Sequence, residues 1–250
     1  VQLTVLGPHG GELPGCRSTC FLLGDRLVLD AGALTSTLPL SQLVAIDDVL
    51  LTHSHFDHIK DLPLLADLLV GRRSSPVTIW ANTACIRALR THILNNEVWP
   101  DFTRIPSKKN PVFRLKSFRS GASFTIGGFH IKSVPVSHPV ESCGFVISDG
   151  TSSMAISGDT GPTEKFWRVL NATENLKLVL VETSFPNELQ PLADVSGHYT
   201  PQTVAADLSK LTRPCEVLLY HLKPAFLDVL RREVQHLPVH VCEEGEVFTF

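Results

Sequence analysis

Four potential metal ligands, His53, His55, Asp57 and His58, crowd into the stretch Thr52 to His58 (Thr-His-Ser-His-Phe-Asp-His), and no other part of the chain constrains its fold as tightly. The run Val49-Leu50-Leu51 just before them is apolar enough for a buried strand. Alternation along an extended segment sends His53 and His55 to one side. A turn after the strand brings Asp57 and His58 across the same cavity, so that two pairs of ligands can serve two adjacent cations. Imidazoles and a carboxylate in this order after a buried strand point to a metal site rather than to a histidine-rich surface loop.

The chain has 250 residues, 43% of them hydrophobic, which is enough for a large core, and a single domain over residues 1–250 is expected. A formal net charge of -3 supplies no electrostatic reason to expect duplex nucleic acid as a partner. No apolar segment approaches the roughly 20 residues of a membrane span, and no basic-then-apolar leader opens the chain. The expected compartment is the cytoplasm, with a periplasmic location left open because the chain begins at Val1 without a methionine. The six cysteines are scattered among apolar residues, where buried free thiols are expected. Cys16 and Cys20 lack the neighbouring ligands that a structural metal would need.

Along the chain, Gln2 to Leu6 reads as a strand, and the loop Gly-Pro-His-Gly-Gly that breaks it is placed near the site. Phe21 to Leu23 and Arg26 to Leu29 form a hairpin closed at Gly24-Asp25. Asp30, at the end of its second strand, either orients a ligand histidine through its other ring nitrogen or serves as a turn residue. A short helix is expected over Pro39 to Val44. A buried helix is expected over Leu62 to Val70, with Asp61 as its N-cap and Gly71 at its end. Val77 to Trp80 reads as a strand and Asn82 to Leu94 as a helix capped by Asn82. From Asn95 to Asn110 the pattern is that of a long loop, offering Trp99 and Phe102 either to a planar ligand group or to packing beneath the loop itself. Strands follow over Phe113 to Phe118, Ser123 to Ile126, His130 to Val136, Gly144 to Ser148 and Ser153 to Ile156.

Several strand ends carry further ligands. His138 follows Val134-Pro135-Val136-Ser137, and Asp159 follows Met154-Ala155-Ile156-Ser157-Gly158. The strand Leu178 to Val181 ends in Glu182-Thr183-Ser184-Phe185, and the strand Val217 to Tyr220 ends in His221. Between them Thr200 caps a helix opened by Pro201, with Val204, Ala205, Leu208 and Leu211 on its apolar face.

This series, His53-x-His55-x-Asp57-His58, His138, Asp159 and His221, resembles the metallo-β-lactamase superfamily over nearly the whole chain. The resemblance implies an α/β fold, the four-layer αββα sandwich, with metals at one edge. It also implies that His53, His55 and His138 hold one divalent ion, that Asp57, His58 and His221 hold the other, and that Asp159 bridges them. Zinc is the default for imidazole and carboxylate ligands, with manganese or iron as alternatives. Flavo-diiron relatives usually have glutamate in place of His55, so the hydrolytic branch is favoured. True β-lactamases and glyoxalase-type thioesterases lack the pair formed here by Glu182 and by His198 within Gly-His-Tyr-Thr-Pro.

Those segments, with His221-Leu-Lys-Pro, resemble the class II cyclic nucleotide phosphodiesterases. The resemblance implies hydrolysis of cAMP or cGMP to the 5'-nucleotide, with a hydroxide shared by the two metals as nucleophile. Asp57, Glu182 and His198 are then the catalytic group, His198 as general acid oriented by Glu182. Lys223 either adds charge toward the phosphate or is solvated. The family usually has leucine where this chain has Phe56, a residue expected to line the pocket mouth. The expected partner is a small cyclic nucleotide, with a homodimer as a further expectation. The alternatives are another hydrolase of the same fold, acting on cyclic phosphates or RNA ends in the manner of tRNase Z or on lactones, and a cyclic nucleotide sensor without turnover.

Overall fold

The central strands of this chain, such as Cys20–Leu23, Leu27–Leu29, Ser153–Ile156 and Leu176–Glu182, are mostly apolar and buried, as strands covered on both faces must be. The computed structural model describes residues 1–250 and arranges the strands in two sheets of seven. The first sheet holds β1 (Gln2–Gly7), β2 (Cys20–Leu23), β3 (Leu27–Leu29), β4 (Asp48–Leu50), β5 (Val77–Asn82) and β6 (Phe113–Phe118) in sequence order. The second runs in chain order through β7 (Ser123–Ile126), β8 (Phe129–Pro135), β9 (Cys143–Ser148), β10 (Ser153–Ile156), β11 (Leu176–Glu182), β12 (Glu216–Tyr220) and β13 (His240–Val241). The last strand, β14 (Val247–Thr249), returns to pair antiparallel with β1.

Alternate side chains divide the core into layers. Phe21, Leu23, Leu29 and Leu50 of the first sheet meet Phe145, Met154, Ile156, Leu180 and Leu218 of the second in one buried cluster. Their neighbours face outward: Leu22, Val28, Val49 and Ile79 pack under helices α1 (Leu34–Thr37), α2 (Leu40–Ala45), α4 (Leu62–Leu69) and α5 (Thr83–Ala88). Val146, Ala155, Val179 and Leu219 pack under α6 (Glu164–Asn171), α8 (Pro201–Leu208) and α9 (Leu227–Val234). The remaining helices, α3 (Phe56–Ile59) and α7 (Gln190–Ser196), lie in the connections that carry candidate site residues. The result is the αββα order of layers.

The site's position follows from strand direction. β3, β4, β5 and β6 are parallel neighbours, as are β10, β11, β12 and β13. β8 and β10 both pair antiparallel with β9 and so share a direction. The carboxyl ends of β3, β4, β8, β10, β11 and β12 therefore deliver Asp30, the Thr52 to His58 stretch, His138, Asp159, Glu182 and His221 to one edge, the usual place for a site in such sheets.

Local details depart from expectation where tertiary partners compete. The helix expected over Pro39 to Val44 is preceded by the separate short helix α1. Asp61 stands at the N-cap position of α4 but makes no capping bond, because its carboxylate accepts from Thr35 N at 2.7 Å and Thr35 Oγ1 at 2.9 Å. Asn82 does cap α5, accepting from Cys85 N at 2.8 Å, yet the helix gives way to a π-helical turn at Leu89–Ile93. Thr200 and Thr203 form a reciprocal capping box, but α8 ends at Leu208, short of Leu211. Phe102 is buried in the outer core of the first half and Trp99 packs against the same cluster, so both aromatics serve their own loop. All six cysteines are free, with Cys20, Cys85, Cys143 and Cys242 buried and Cys16 and Cys215 half-buried. No helix is long and apolar enough to cross a membrane.

Candidate metal centre

After β4 the chain continues extended through Thr52 to His55 and then turns into α3, which carries Asp57 and His58. The side chains of His53, His55, His138 and Asp159 converge as one group and those of Asp57, His58 and His221 as another, each with its ligand atoms within 4.8 Å of one another. Asp159 lies between the two groups. Its Oδ2 is 3.6 Å from His53 Nε2, 3.3 Å from His58 Nε2 and 3.2 Å from His221 Nε2. Asp57 Oδ2 is 3.3 Å from His221 Nε2 and 3.8 Å from His58 Nε2. The seven side chains expected as ligands thus lie together at this edge.

The outward-facing ring nitrogens are held from behind. His58 Nδ1 donates to Asp30 Oδ2 at 2.7 Å, and Asp30 also accepts from Thr52 N and Thr52 Oγ1, each at 2.8 Å. The Thr52 hydroxyl, donating to Asp30, accepts from His53 Nδ1 at 3.0 Å. His138 Nδ1 donates to the Gly197 carbonyl at 2.9 Å. His221 Nδ1 meets Ser184 Oγ at 2.9 Å. Such partners fix which nitrogen of each ring faces a cation. Asp30 and His221 both adopt left-handed backbone conformations, with φ of 56° and 65°, a strain that the surrounding contacts sustain at this edge.

These residues suit a cation. His53 Nε2 and Asp159 Oδ1 are buried without a hydrogen-bond partner, a costly state for polar atoms. Paired ring nitrogens also converge, His58 Nε2 with His221 Nε2 at 3.2 Å and His138 Nε2 with His55 Nδ1 at 3.1 Å. Burial pushes His53 well below the usual histidine range, aided by His58, and burial also lowers His55 and His138. Neutral imidazoles are the metal-binding form. Burial acts against the charge of His58, but Asp159 and Asp30 outweigh it and raise its pKa well above the usual range. Burial likewise opposes ionisation of Asp159, which His221, His58 and His53 nonetheless hold well below the usual carboxylate range.

Beside this cluster, His198 Nδ1 donates to Glu182 Oε1 at 2.7 Å, with Glu182 fully buried. Burial would lower the imidazole, but the carboxylate prevails and raises its pKa. Glu182 also accepts from Thr160 N at 3.0 Å, which ties it to the segment after Asp159. Phe56 is 64% exposed next to the clustered residues. Lys223 donates from Nζ to the Gly10 carbonyl at 3.2 Å and stands 5.1 Å from the Phe185 ring centroid, so its charge is held rather than freely solvated.

Two contributors were not singled out from the sequence: Thr52 and Ser184 supply hydroxyls behind His53 and His221. The N-terminal loop does lie at the site, as expected, and backs His221: Pro8 O accepts from His221 N, and Gly10 packs against the ring. A hydroxyl directly before the first histidine, and another two residues after a strand-end carboxylate, were the signals available.

A family model described as a beta-lactamase superfamily domain matches residues 26–222. The chain belongs to that superfamily. It is a hydrolase of the metallo-β-lactamase fold, whose His and Asp clusters suit divalent metal. It is 28% identical, over 98% of its length and 84% of the relative's, to a probable 3',5'-cyclic-nucleotide phosphodiesterase of Yersinia pestis. Unliganded yeast PDE1 shares its fold with a TM-score of 0.83 at 21% identity, covering 100% of this chain and 99% of that one. The metallo-β-lactamase fold protein YhfI from Bacillus subtilis does so with a TM-score of 0.77 at 23% identity, covering 99% of each chain.

Proposed function

We propose that this protein is a dinuclear, metal-dependent 3',5'-cyclic-nucleotide phosphodiesterase. The observation that carries the proposal is the position of Asp159 Oδ2, within 3.6 Å of His53, His58 and His221, with the Glu182–His198 pair alongside. His53, His55 and His138 would hold one ion and Asp57, His58 and His221 the other, with Asp159 shared. Divalent cations at such a site supply Lewis acidity that activates water and neutralises phosphate oxygens, and zinc is the default for these ligands.

The remaining chemistry belongs to the chain. Hydrolysis breaks the bond between phosphorus and the 3'-oxygen, and the departing alkoxide takes a proton. His198 supplies it. With Nδ1–H committed to Glu182, Nε2 is the nitrogen left to act as general acid, and the carboxylate favours the protonated ring. Asp57, half-buried where α3 begins, completes the acidic face of the cluster, and Phe56 lies at its rim. The name of the Yersinia relative supports the choice of a cyclic nucleotide as substrate.

The test is hydrolysis of cAMP and cGMP followed by phosphorus NMR, on protein reconstituted separately with zinc, manganese and iron. A 5'-nucleotide product that disappears in Asp159→Ala is expected. Cleavage of bis(p-nitrophenyl) phosphate alone would move the substrate to another phosphodiester. No turnover of either with metal bound would point to a lactone or to a sensor.

A further inference from the structure

Ser184 has the most connected hydroxyl at the site. Its Oγ lies 3.0 Å from Glu182 Oε2, 2.9 Å from His221 Nδ1 and 3.1 Å from His198 Nδ1. A hydroxyl has one proton to give and two lone pairs with which to accept. The assignment of roles is forced by the neighbours. Glu182 is an acceptor, so Ser184 donates to it. His221 turns Nε2 toward Asp57 and Asp159, so its Nδ1 carries the proton and donates to Ser184. His198 has its own Nδ1 proton on Glu182 Oε1, the shorter and charge-assisted contact.

We infer that Ser184 is a positioning residue that joins a metal-ligand histidine to the general acid. The chain runs from His221 Nδ1–H to Ser184 Oγ–H, to the two oxygens of Glu182, and back from His198 Nδ1–H. Through it, the ring that faces the metal cluster and the ring that faces the leaving group are oriented by one buried carboxylate. Ser184 is the sole hydrogen-bond partner of His221 Nδ1. The backbone of Ser184 is separately secured, its N–H donating to Tyr199 O at 3.0 Å and its carbonyl accepting from Lys223 N at 3.4 Å. Removing the hydroxyl therefore leaves the loop anchored and breaks only the link.

The experiment compares Ser184→Ala and Ser184→Thr with the wild-type protein. The first readout is the zinc dissociation constant by competition with a chromophoric chelator, which needs no substrate. Ser184→Ala is expected to raise it about tenfold, as loss of a partner behind a ligand histidine does, and Ser184→Thr to restore it. The second readout rests on the phosphodiesterase reading. On a cyclic nucleotide, kcat should fall roughly 10- to 100-fold with KM within about twofold. On bis(p-nitrophenyl) phosphate, whose leaving group needs no proton, the loss should be smaller. An unchanged zinc constant in Ser184→Ala, or equal losses on both substrates that threonine does not restore, overturns the inference. If the alanine variant does not fold, Ser184→Cys, with its weaker hydrogen bonds, takes its place. A wild-type protein inactive on cyclic nucleotides defeats the functional reading, while the zinc constants still decide the role of Ser184.

Discussion

His198 Nδ1 lies 2.7 Å from Glu182 Oε1, and the His198 ring stands stacked on that of His221 with centroids 5.5 Å apart. A histidine held this close to the candidate metal cluster, yet fastened to a carboxylate, is expected to act on the leaving group in the proposed reaction. His198→Ala should lower kcat on a cyclic nucleotide by about 10²–10⁴-fold, with metal content unchanged by elemental analysis. Because His198 also falls within 4.8 Å of ligand atoms of Asp159 and His221, the metal measurement decides the matter. Loss of a metal equivalent in the variant would make His198 a ligand instead.

Asp30 is the buried anchor behind His58, and it also holds Thr52, which in turn holds His53. Asp30→Ala should weaken metal affinity by roughly 10–100-fold, and activity should return at high metal concentration. A chelator titration of the variant against wild type measures this. Unaltered affinity would reduce Asp30 to a structural turn residue.

Gly10 packs so closely on His221 that a Cβ there would stand 2.5 Å from both the ring Nδ1 and the backbone carbonyl of His221. Neither neighbour is the free end of a flexible side chain. Gly10→Ala should therefore displace His221 and lower metal bound per chain, by elemental analysis, with secondary structure retained by circular dichroism. Full metal content would show that the loop can yield without moving the histidine.

Asp207 secures the segment next to His198 from outside the metal cluster. Its Oδ2 accepts from Tyr199 OH at 2.6 Å, Trp167 Nε1 at 3.0 Å and Thr163 N at 3.1 Å, while Oδ1 pairs with Lys210 at 2.6 Å. Burial alone would raise its pKa, but Lys210, the Tyr199 hydroxyl and the Thr163 N–H overcome this and hold it below the usual value of 3.8. A depressed pKa in the folded state means that the stabilisation is complete above the unfolded value and is lost as pH falls through the folded one. Asp207→Asn turns an amide N–H₂ toward donors and should cost about 1–3 kcal/mol at neutral pH. Denaturant titrations should show the gap between variant and wild type narrowing below about pH 4. A gap independent of pH would contradict the assignment.

Much of the framework was legible because it is written in local patterns. Strands buried on both faces read as short apolar runs, and the residues that end them, such as Asp159 after Ile156 or His221 after Tyr220, stand out by their change in polarity. Caps were legible for the same reason where the carbonyls and amides they satisfy are next to them in sequence, as at Asn82 and Thr200. Asp61 failed as a cap because Thr35, from another helix, offered its carboxylate better donors.

The sequence by itself determined the candidate ligand types, their order and the strand ends that present them, since alternation and burial act over a few residues. Only the tertiary structure decided what stands behind the candidate ligand histidines: Asp30 behind His58, Gly197 behind His138, Ser184 and Gly10 behind His221. Those pairings join segments far apart in the chain, and they arise from how two sheets stack and which strands run parallel. A hydroxyl or a glycine in a loop carries no local mark of the side chain it will meet. Its partner is set by the packing that brings the two sheet edges together.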